Sequence, residues 1–288
     1  MTATTRLCAA VLFAGFHVVA PYQSTAAEDS VVDRIRETGE ITLGVRRDAR
    51  PHSFLDEHGN SAGYTVEVCA DVVGRLRAQL GLTQIRMRFE PVDATDRFQA
   101  VAEGRIDLLC GAATITLSRR ELVDFSIPTF ADGASVLTLK GASEDFTALA
   151  GKRIGVRAGT TTEQALRASL RSFGMDAEVR LVSDHNDGLR AVETGAIDAY
   201  FGDQSILFSL LESSTEKDRL VVAGNTLTIE LHGLALPLGD HRFRLEVDRA
   251  LSHLYRTGRM ADIFEVTFPN AEPGESIRYI HTFAPILP

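Results

Sequence analysis

The sequence lacks several features that would mark it as a particular class of protein. Beyond residue 27 no stretch is apolar enough to span a bilayer, which argues against an integral membrane protein. The eight histidines show no metal-ligand spacing such as His-x-x-x-His, so we expect neither a metal site nor a cofactor. Basic residues are in the minority, with 30 Lys+Arg against 39 Asp+Glu, which argues against nucleic acid or an anionic membrane surface as a partner.

Charge is also scarce at the start of the chain, where the first 27 residues contain only Arg6. The apolar run at 7–20 has the length of a signal-peptide core and is too short to span a bilayer comfortably. Small residues at 24–27 offer a cleavage site. We therefore expect a signal peptide over residues 1–27 and an exported, periplasmic mature chain; the alternative is a buried N-terminal helix.

Cysteine is rare too, and the first of the three, Cys8, falls within the expected signal peptide. Cys69 lies in a predicted helix at 66–80, and Cys110 lies at the end of a predicted strand at 106–110. In an oxidising compartment, a helix packed on that strand could bring the two sulfurs within bridging distance. We predict a Cys69–Cys110 disulfide, with two buried free thiols as the alternative.

What the chain does contain is an internal repeat. Residues 96–107 are matched 91 positions later by residues 187–198, where Asp, Ala, Val, Gly, Ile and Asp recur in register. Gly44-Val45-Arg46 and Gly155-Val156-Arg157 likewise end two similar strands. A strand–helix alternation that occurs twice predicts two α/β lobes with mostly parallel sheets. The alternative is a chance similarity between two ordinary βαβ units.

The repeat also indicates how the lobes divide the chain. We expect the first lobe to hold residues 28–132 and 231–288, and the second lobe to hold residues 133–230. Extended segments at 131–139 and 229–236 would connect them, and two crossings between two lobes make a hinge. We expect the helices that follow, at 243–257 and 260–264, to pack on the first lobe, and the Pro-rich tail after Phe268 to be an extended strap or disordered.

Polar residues cluster at the predicted ends of strands and starts of helices, where open α/β sheets bind ligands. These candidates are Arg46, Arg97, Thr114, Arg119, Thr160, His185 and Asp203. Two capping boxes, Ser118 with Glu121 and Thr160 with Glu163, would add free amides and hydroxyls that could hold a small carboxylate. Taken singly, each residue has an ordinary explanation as a surface ion pair or a helix cap. Because the strand–helix pattern is repeated, we expect all of these residues to lie at the same opening between the two lobes.

Several of these residues belong to a pattern that resembles the family 3 solute-binding proteins of amino-acid ABC transporters, and within them the glutamate/aspartate-binding branch. The pattern is Gly104-x-x-Asp107-x-x-x-Gly111, then Thr114, Arg119 and Asp124-Phe125-Ser126-x-Pro128, with Gly159-Thr160-Thr161, Gly195-x-x-Asp198 and Asp203. The resemblance covers about Ile41 to Phe268. It implies a two-lobed, Venus-flytrap fold that closes on a free amino acid and delivers it to a membrane permease.

The resemblance also implies a role for each candidate. It assigns the α-carboxylate to Arg119 with Thr114 and Thr160, the α-ammonium to Asp203, and a side-chain carboxylate to Arg46, Arg97 and His185. The sequence departs from that branch at Ala94 and Ala112, where the branch has serines. This departure leaves another polar amino acid open as the ligand.

Two other functions stay open. Exported cyclohexadienyl dehydratases resemble these binding proteins and use acids in the cleft for catalysis, although the Arg119 and Asp203 pair favours amino-acid binding. A sensor or receptor input domain is the other alternative, and it would need a separate membrane partner. We expect a monomer that binds a small molecule and catalyses no reaction.

Overall fold

The computed structural model describes residues 30–143 and 145–283. The expected signal peptide, residues 1–27, therefore lies outside the described residues. Within the described ranges, no helix combines the length and the apolar character needed to cross a membrane.

Helices and strands alternate along most of the chain. The α-helices are α1 (Val31–Thr38), α2 (Tyr64–Gln79), α3 (Arg97–Ala102), α4 (Thr161–Ser172), α5 (His185–Glu193), α6 (Gln204–Ser213), α7 (His241–Arg256), α8 (Arg259–Thr267) and α9 (Glu275–Phe283). Short 3₁₀ helices cover Arg119–Glu121, Phe146–Leu149 and Lys217–Arg219. The strands are β1 (Glu40–Val45), β2 (Asp48–Ala49), β3 (Ser53–Leu55), β4 (Ser61–Ala62), β5 (Arg86–Pro91), β6 (Leu108–Cys110), β7 (Val123–Phe125), β8 (Phe130–Asp132), β9 (Ala134–Leu139), β10 (Arg153–Arg157), β11 (Glu178–Val182), β12 (Ala199–Asp203), β13 (Leu220–Val222), β14 (Glu230–His232) and β15 (Ala235–Pro237).

Two five-stranded sheets form the centres of two lobes. The first lobe is built on the order β5-β1-β6-β15-β7 and the second on β11-β10-β12-β9-β13. In each sheet four strands run in one direction, and the fourth strand in the order, β15 or β9, is antiparallel to both of its neighbours. The two-lobed α/β fold predicted from the sequence is therefore confirmed.

The sequence repeat corresponds to equivalent packing in the two lobes. A methyl group added at Gly44 in β1 would lie 2.2 Å from Ile106 Cδ1. A methyl group added at Gly155 in β10 would lie 2.5 Å from Ile197 Cδ1. Each glycine thus lets the isoleucine that precedes the neighbouring strand approach the sheet closely, because it has no Cβ at the contact.

The two lobes are joined by strands that run side by side. β8 and β14 form a two-stranded antiparallel sheet, with Asp132 opposite Glu230 and Phe130 opposite His232. After the chain crosses back, α7 and α8 both pack in the core of the first lobe, as the sequence predicted; Val247 of α7 is one of the residues buried there. The crossings therefore place charged residues between the lobes.

Two local predictions were wrong. Ser118 does not cap a helix, since only a 3₁₀ turn follows it; the Arg119 amide instead donates to the Thr116 hydroxyl at 3.2 Å. The tail after Phe268 is not a continuous extended strap, because α9 forms within it and Ile277 is buried in the first core. No proline occurs between residues 274 and 284, so nothing prevents a helix there.

The predicted disulfide is present and ties α2 to the central strand β6. Cys69 and Cys110 are bonded, with their Cα atoms 6.1 Å apart. Both residues are fully buried in the first core. The bond therefore closes a loop between residues 41 positions apart in the sequence.

Removing this bond should destabilise the mature protein. Replacing both Cys69 and Cys110 by alanine is expected to lower the free energy of unfolding in urea by about 4 kcal/mol, because the unfolded chain regains the freedom of that loop. Dithiothreitol should lower the free energy of unfolding of the unaltered protein but not that of the double variant. A reductant effect of equal size on both proteins would contradict the assignment.

Candidate ligand-binding site

Four arginine side chains meet between the two lobes. Arg46 follows β1, Arg97 starts α3, Arg119 lies in the 3₁₀ turn after β6, and Arg157 ends β10. Arg46, Arg97 and Arg157 are buried. Arg157 was not among the predicted site residues, although the repeat that pairs Gly44-Val45-Arg46 with residues 155–157 could have indicated it. The cleft thus concentrates positive charge where little water can screen it.

Asp48 neutralises part of this charge by joining two of the arginines. Its carboxylate accepts hydrogen bonds from Arg46 and from Arg157 Nε, the latter at 2.9 Å, and its side chain is only 5% exposed. Burial alone would raise the pKa of Asp48, but the charge of Arg46, with that of Arg157, outweighs burial and lowers the pKa to about 2. Arg46 and Arg157 therefore already have a protein counterion.

Arg97 has no such counterion. It is 4% exposed, and within the described ranges its guanidinium makes no ion pair and no hydrogen bond, although it lies over the Phe98 ring at 4.9 Å. Burial lowers the pKa of Arg97, and the charges of Arg46 and Arg119 lower it further, while Asp203 and Asp48 act in the opposite direction. A buried guanidinium without an acid is unfavourable, so this arrangement calls for an anion.

Arg119 is the second of the four cleft arginines that has no acid at ion-pair distance among the described residues. It donates to the Thr114 backbone oxygen at 2.7 Å and lies 4.6 Å from the centre of the Phe98 ring. Burial lowers the pKa of Arg119, while Glu230 and Asp203 act in the opposite direction. Its remaining N–H groups can bind an oxygen ligand, and a planar guanidinium suits a carboxylate.

An acidic group faces the cleft beside these arginines. Asp203, at the end of β12, accepts from the Thr162 hydroxyl at 3.0 Å. Burial raises the pKa of Asp203 to about 7, with the nearby Asp132 and Glu230 adding to the effect. His232 Nε2 lies 3.8 Å from Asp203 Oδ2, and neither ring nitrogen of His232 finds a hydrogen-bond partner in the described part of the chain. This corner can therefore accept a cation.

By their chemistry, the oxygen and nitrogen donors in this corner suit either a metal ion or an ammonium group. Candidate ligand atoms of Asp132, Asp203 and His232 lie within 4.8 Å of one another. Asp132 is already occupied, since it accepts from the Ser205 hydroxyl and from the Gly133 amide at 2.9 Å. Asp203 therefore offers the freer carboxylate, and an arriving positive charge would favour its ionised form.

The remaining predicted residues hold the walls of the same cleft. Thr160 caps α4, accepting from the Glu163 amide at 3.1 Å and donating to the Arg157 carbonyl at 2.8 Å. His185 is buried and bonds the Tyr200 hydroxyl through Nδ1 at 2.8 Å. Burial lowers the pKa of His185 to about 3, so it is neutral at physiological pH and acts through hydrogen bonding rather than charge.

The structure brings the seven candidates together at adjoining cavities. Six of them line one narrow, mostly enclosed cavity: Arg46, Arg97, Thr114, Thr160, His185 and Asp203. Arg119 lines the neighbouring cavity, which shares Thr160 with the first. Ala112 lines the first cavity and Ala94 the second, so both departures from serine face the candidate site.

Glu230, which sequence reasoning missed, connects the lobes beside the site through Thr114 and Thr161. It lies in the crossing strand β14, and its carboxylate accepts from three hydroxyls: Thr114 at 2.5 Å, Thr161 at 2.7 Å and Thr228 at 2.8 Å. Thr114 belongs to the first lobe and Thr161 to the second. No local sequence signal distinguishes Glu230, because its partners come from distant parts of the chain.

Two α/β lobes with polar groups from both lobes around an enclosed cleft are typical of binding proteins that close on a small ligand. The chain belongs to the bacterial extracellular solute-binding proteins, family 3, whose family model matches residues 41–270. The resemblance stated from the sequence is thus confirmed.

Individual relatives and a solved structure agree with this assignment. The chain is 31% identical to the L-glutamate/L-aspartate-binding protein of Pseudomonas aeruginosa, over 85% of this chain and 82% of the relative. It is 26% identical to the L-cystine-binding protein of Escherichia coli, over 84% and 87%. The solute receptor for L-cysteine of Neisseria gonorrhoeae matches with a TM-score of 0.75 at 24% identity, over 84% of this chain and 97% of that one, which supports the fold.

The hydroxyl contacts of Glu230 should stabilise the folded protein. Glu230→Ala is expected to lower the free energy of unfolding in urea by about 3 kcal/mol, because one buried and two half-buried hydroxyls lose their acceptor. Glu212→Ala is the matched control, since Glu212 is exposed, and it should change stability by less than about 0.5 kcal/mol. Equal stability of the two variants would contradict the role given to Glu230.

Proposed function

We propose that the chain is a periplasmic binding protein that captures a free acidic amino acid, glutamate or aspartate, and delivers it to an ABC permease. The first lobe would comprise residues 28–132 and 231–288, and the second lobe residues 133–230. The chain would act as a monomer, without a cofactor. The named relatives are binding proteins, which supports capture rather than catalysis.

The observation that carries this proposal is a pair of guanidinium groups without an acid, the buried Arg97 and the half-buried Arg119. Arg97 and Arg119 have no carboxylate at ion-pair distance within the described ranges. A dicarboxylic amino acid brings two carboxylates and one ammonium. These groups match Arg119, Arg97 and Asp203 in number and sign, and buried charges are stable only when they are compensated.

The roles follow from these positions. Arg119 would bind the α-carboxylate with the backbone amides of Thr114 and Thr160, whose hydroxyls already donate to Glu230 and to the Arg157 carbonyl. Asp203 would bind the α-ammonium. Arg97 would bind the side-chain carboxylate, assisted by His185. Arg46 would contribute less than the resemblance implied, because its guanidinium is already paired with Asp48.

Closure would follow from contacts that only the shut cleft allows. Thr114 and Thr161 lie 3.1 Å apart through their hydroxyl oxygens, and they come from different lobes. A ligand held by Arg97 and Arg119 of the first lobe and Asp203 of the second would bind the closed form more tightly than the open form. Ligand binding would thereby shift the population toward the closed form that a permease would recognise.

A second candidate ligand is another polar amino acid. Ala94 and Ala112 face the cavities where the acidic-ligand branch has serine hydroxyls, so the side-chain pocket offers fewer donors. The similarity to a cystine-binding relative favours the same alternative. The charge match of Arg97 and Arg119 nevertheless supports an acidic ligand above a neutral one.

Calorimetric titration of the refolded, ligand-free protein with glutamate, aspartate, glutamine, asparagine and arginine tests the proposal. Glutamate or aspartate should bind at least tenfold more tightly than glutamine or asparagine, because a neutral side chain leaves Arg97 uncompensated. Arginine should not bind. Tight glutamine binding with weak glutamate binding would refute the acidic-ligand assignment.

The two unpaired arginines should respond differently to substitution. Arg97→Met should weaken glutamate binding at least 100-fold and glutamine binding much less, while raising the free energy of unfolding of the ligand-free protein by about 1–3 kcal/mol. Arg119→Met should abolish binding of every amino acid, because all share the α-carboxylate. Arg77→Met, at an exposed position, is the control. Equal losses for all ligands in the Arg97 and Arg119 variants would contradict this division.

A further inference from the structure

A buried acid stands at the end of the site that would hold an acidic side chain. Asp48 lies in β2, two residues after Arg46, and bonds Arg46 of the first lobe and Arg157 of the second. Both arginines line the cavity together with His185. Two cations and one anion leave a single positive charge in this group, beside the charge of Arg97 in the same cavity, where the two arginines alone would present two.

We propose that Asp48 is a specificity-determining residue that makes the site discriminate against amino acids whose side chain bears more than one negative charge. This inference rests on the proposed function and goes beyond it by naming what sets the upper limit of ligand charge. In a buried cleft, an extra unit charge a few ångströms from the ligand changes affinity strongly, because water screens it poorly. Asp48 therefore weakens the attraction for a doubly charged side chain more than for a singly charged one.

A purely structural role would predict something different. If Asp48 only held Arg46 and Arg157 in place, its loss would weaken all ligands by a similar factor. If Asp48 sets the charge limit, its loss changes the affinities in proportion to the charge on the ligand side chain. The ratio between ligands of different charge separates the two roles, whereas the affinity for one ligand does not.

The chain offers a matched control at the same arginine. Asp93 lies 3.8 Å from Arg157, with its side chain 68% exposed. Solvent screens an exposed ion pair, so Asp93 should contribute little to the potential inside the cleft. Asp48→Asn and Asp93→Asn each remove one negative charge beside Arg157 while keeping nearly the same side-chain volume.

The test compares glutamine, glutamate and O-phosphoserine, whose side chains carry zero, one and nearly two negative charges at pH 7.5. Calorimetric titration of the mature, full-length protein should show glutamate as the tightest ligand. In Asp48→Asn, the ratio of O-phosphoserine affinity to glutamate affinity should rise at least tenfold, and the ratio of glutamate to glutamine should rise as well. Asp93→Asn should change both ratios less than twofold.

Arg157→Ala provides a second measurement in the opposite direction, should Asp48→Asn fold poorly. Removing this positive charge should lower the ratio of O-phosphoserine to glutamate at least tenfold. Ratios that stay within twofold of the unaltered protein in the folded variants would overturn the charge limit while leaving the proposed function intact. An unaltered protein that does not bind glutamate would refute the proposed function and, with it, this inference.

Discussion

The folded protein depends on how it compensates positive charge buried between its lobes. Three of the four cleft arginines are buried and the fourth, Arg119, is half-buried. Among the residues that the structure describes, only Arg46 and Arg157 of these four pair with a buried acid, Asp48. Because an uncompensated buried charge is unfavourable, the remaining charge destabilises the closed, ligand-free form. The same imbalance makes the cleft receptive to an anion. Stability without ligand and affinity for ligand are thus opposed in this site, and the balance between them is set by how many arginines have an internal partner.

Much of the fold could be predicted because its signals are local and occur twice. The glycine turn and the isoleucine before each parallel strand recur 91 positions apart, and in the structure Ile106 and Ile197 pack on equivalent glycines. The tail was harder, because the prolines around it suggested an extended chain while the helix between them depends on burial of Ile277 against a core formed by distant residues. The capping box at Ser118 failed for a related reason: the spacing was correct, but the chain turns into β7 after a single 3₁₀ turn, so no helix follows for it to cap.

The site could be predicted as a set of residues but not as a set of partners. Strand ends and helix starts can be read from the sequence, and this was enough to select Arg46, Arg97 and Asp203. Which acid meets which arginine depends on how two lobes face each other, and no local pattern contains that. The Asp48–Arg157 pair joins residues 109 positions apart. The internal repeat could have revealed Arg157 as the counterpart of Arg46, whereas nothing in the sequence around Asp48 indicates that it turns toward the second lobe.

The hinge and the charges of the site are physically connected. The crossing strands β8 and β14 bring Asp132 and Glu230 beside Asp203, and both acids contribute to the raised pKa of the Asp203 carboxyl. Glu230 also accepts hydrogen bonds from hydroxyls of both lobes, so its position depends on how the lobes are arranged. A cation that reaches Asp203 would reduce the repulsion among these acids. Two of the acids, Asp132 and Glu230, lie in the strands about which the lobes would move, so the reduced repulsion would stabilise those strands in this arrangement. Opening the cleft would separate Thr114 from Thr161 and remove part of what holds Glu230. The charge of the ligand and the arrangement of the lobes therefore act on the same carboxylates. A small charged ligand can favour the closed form for this reason.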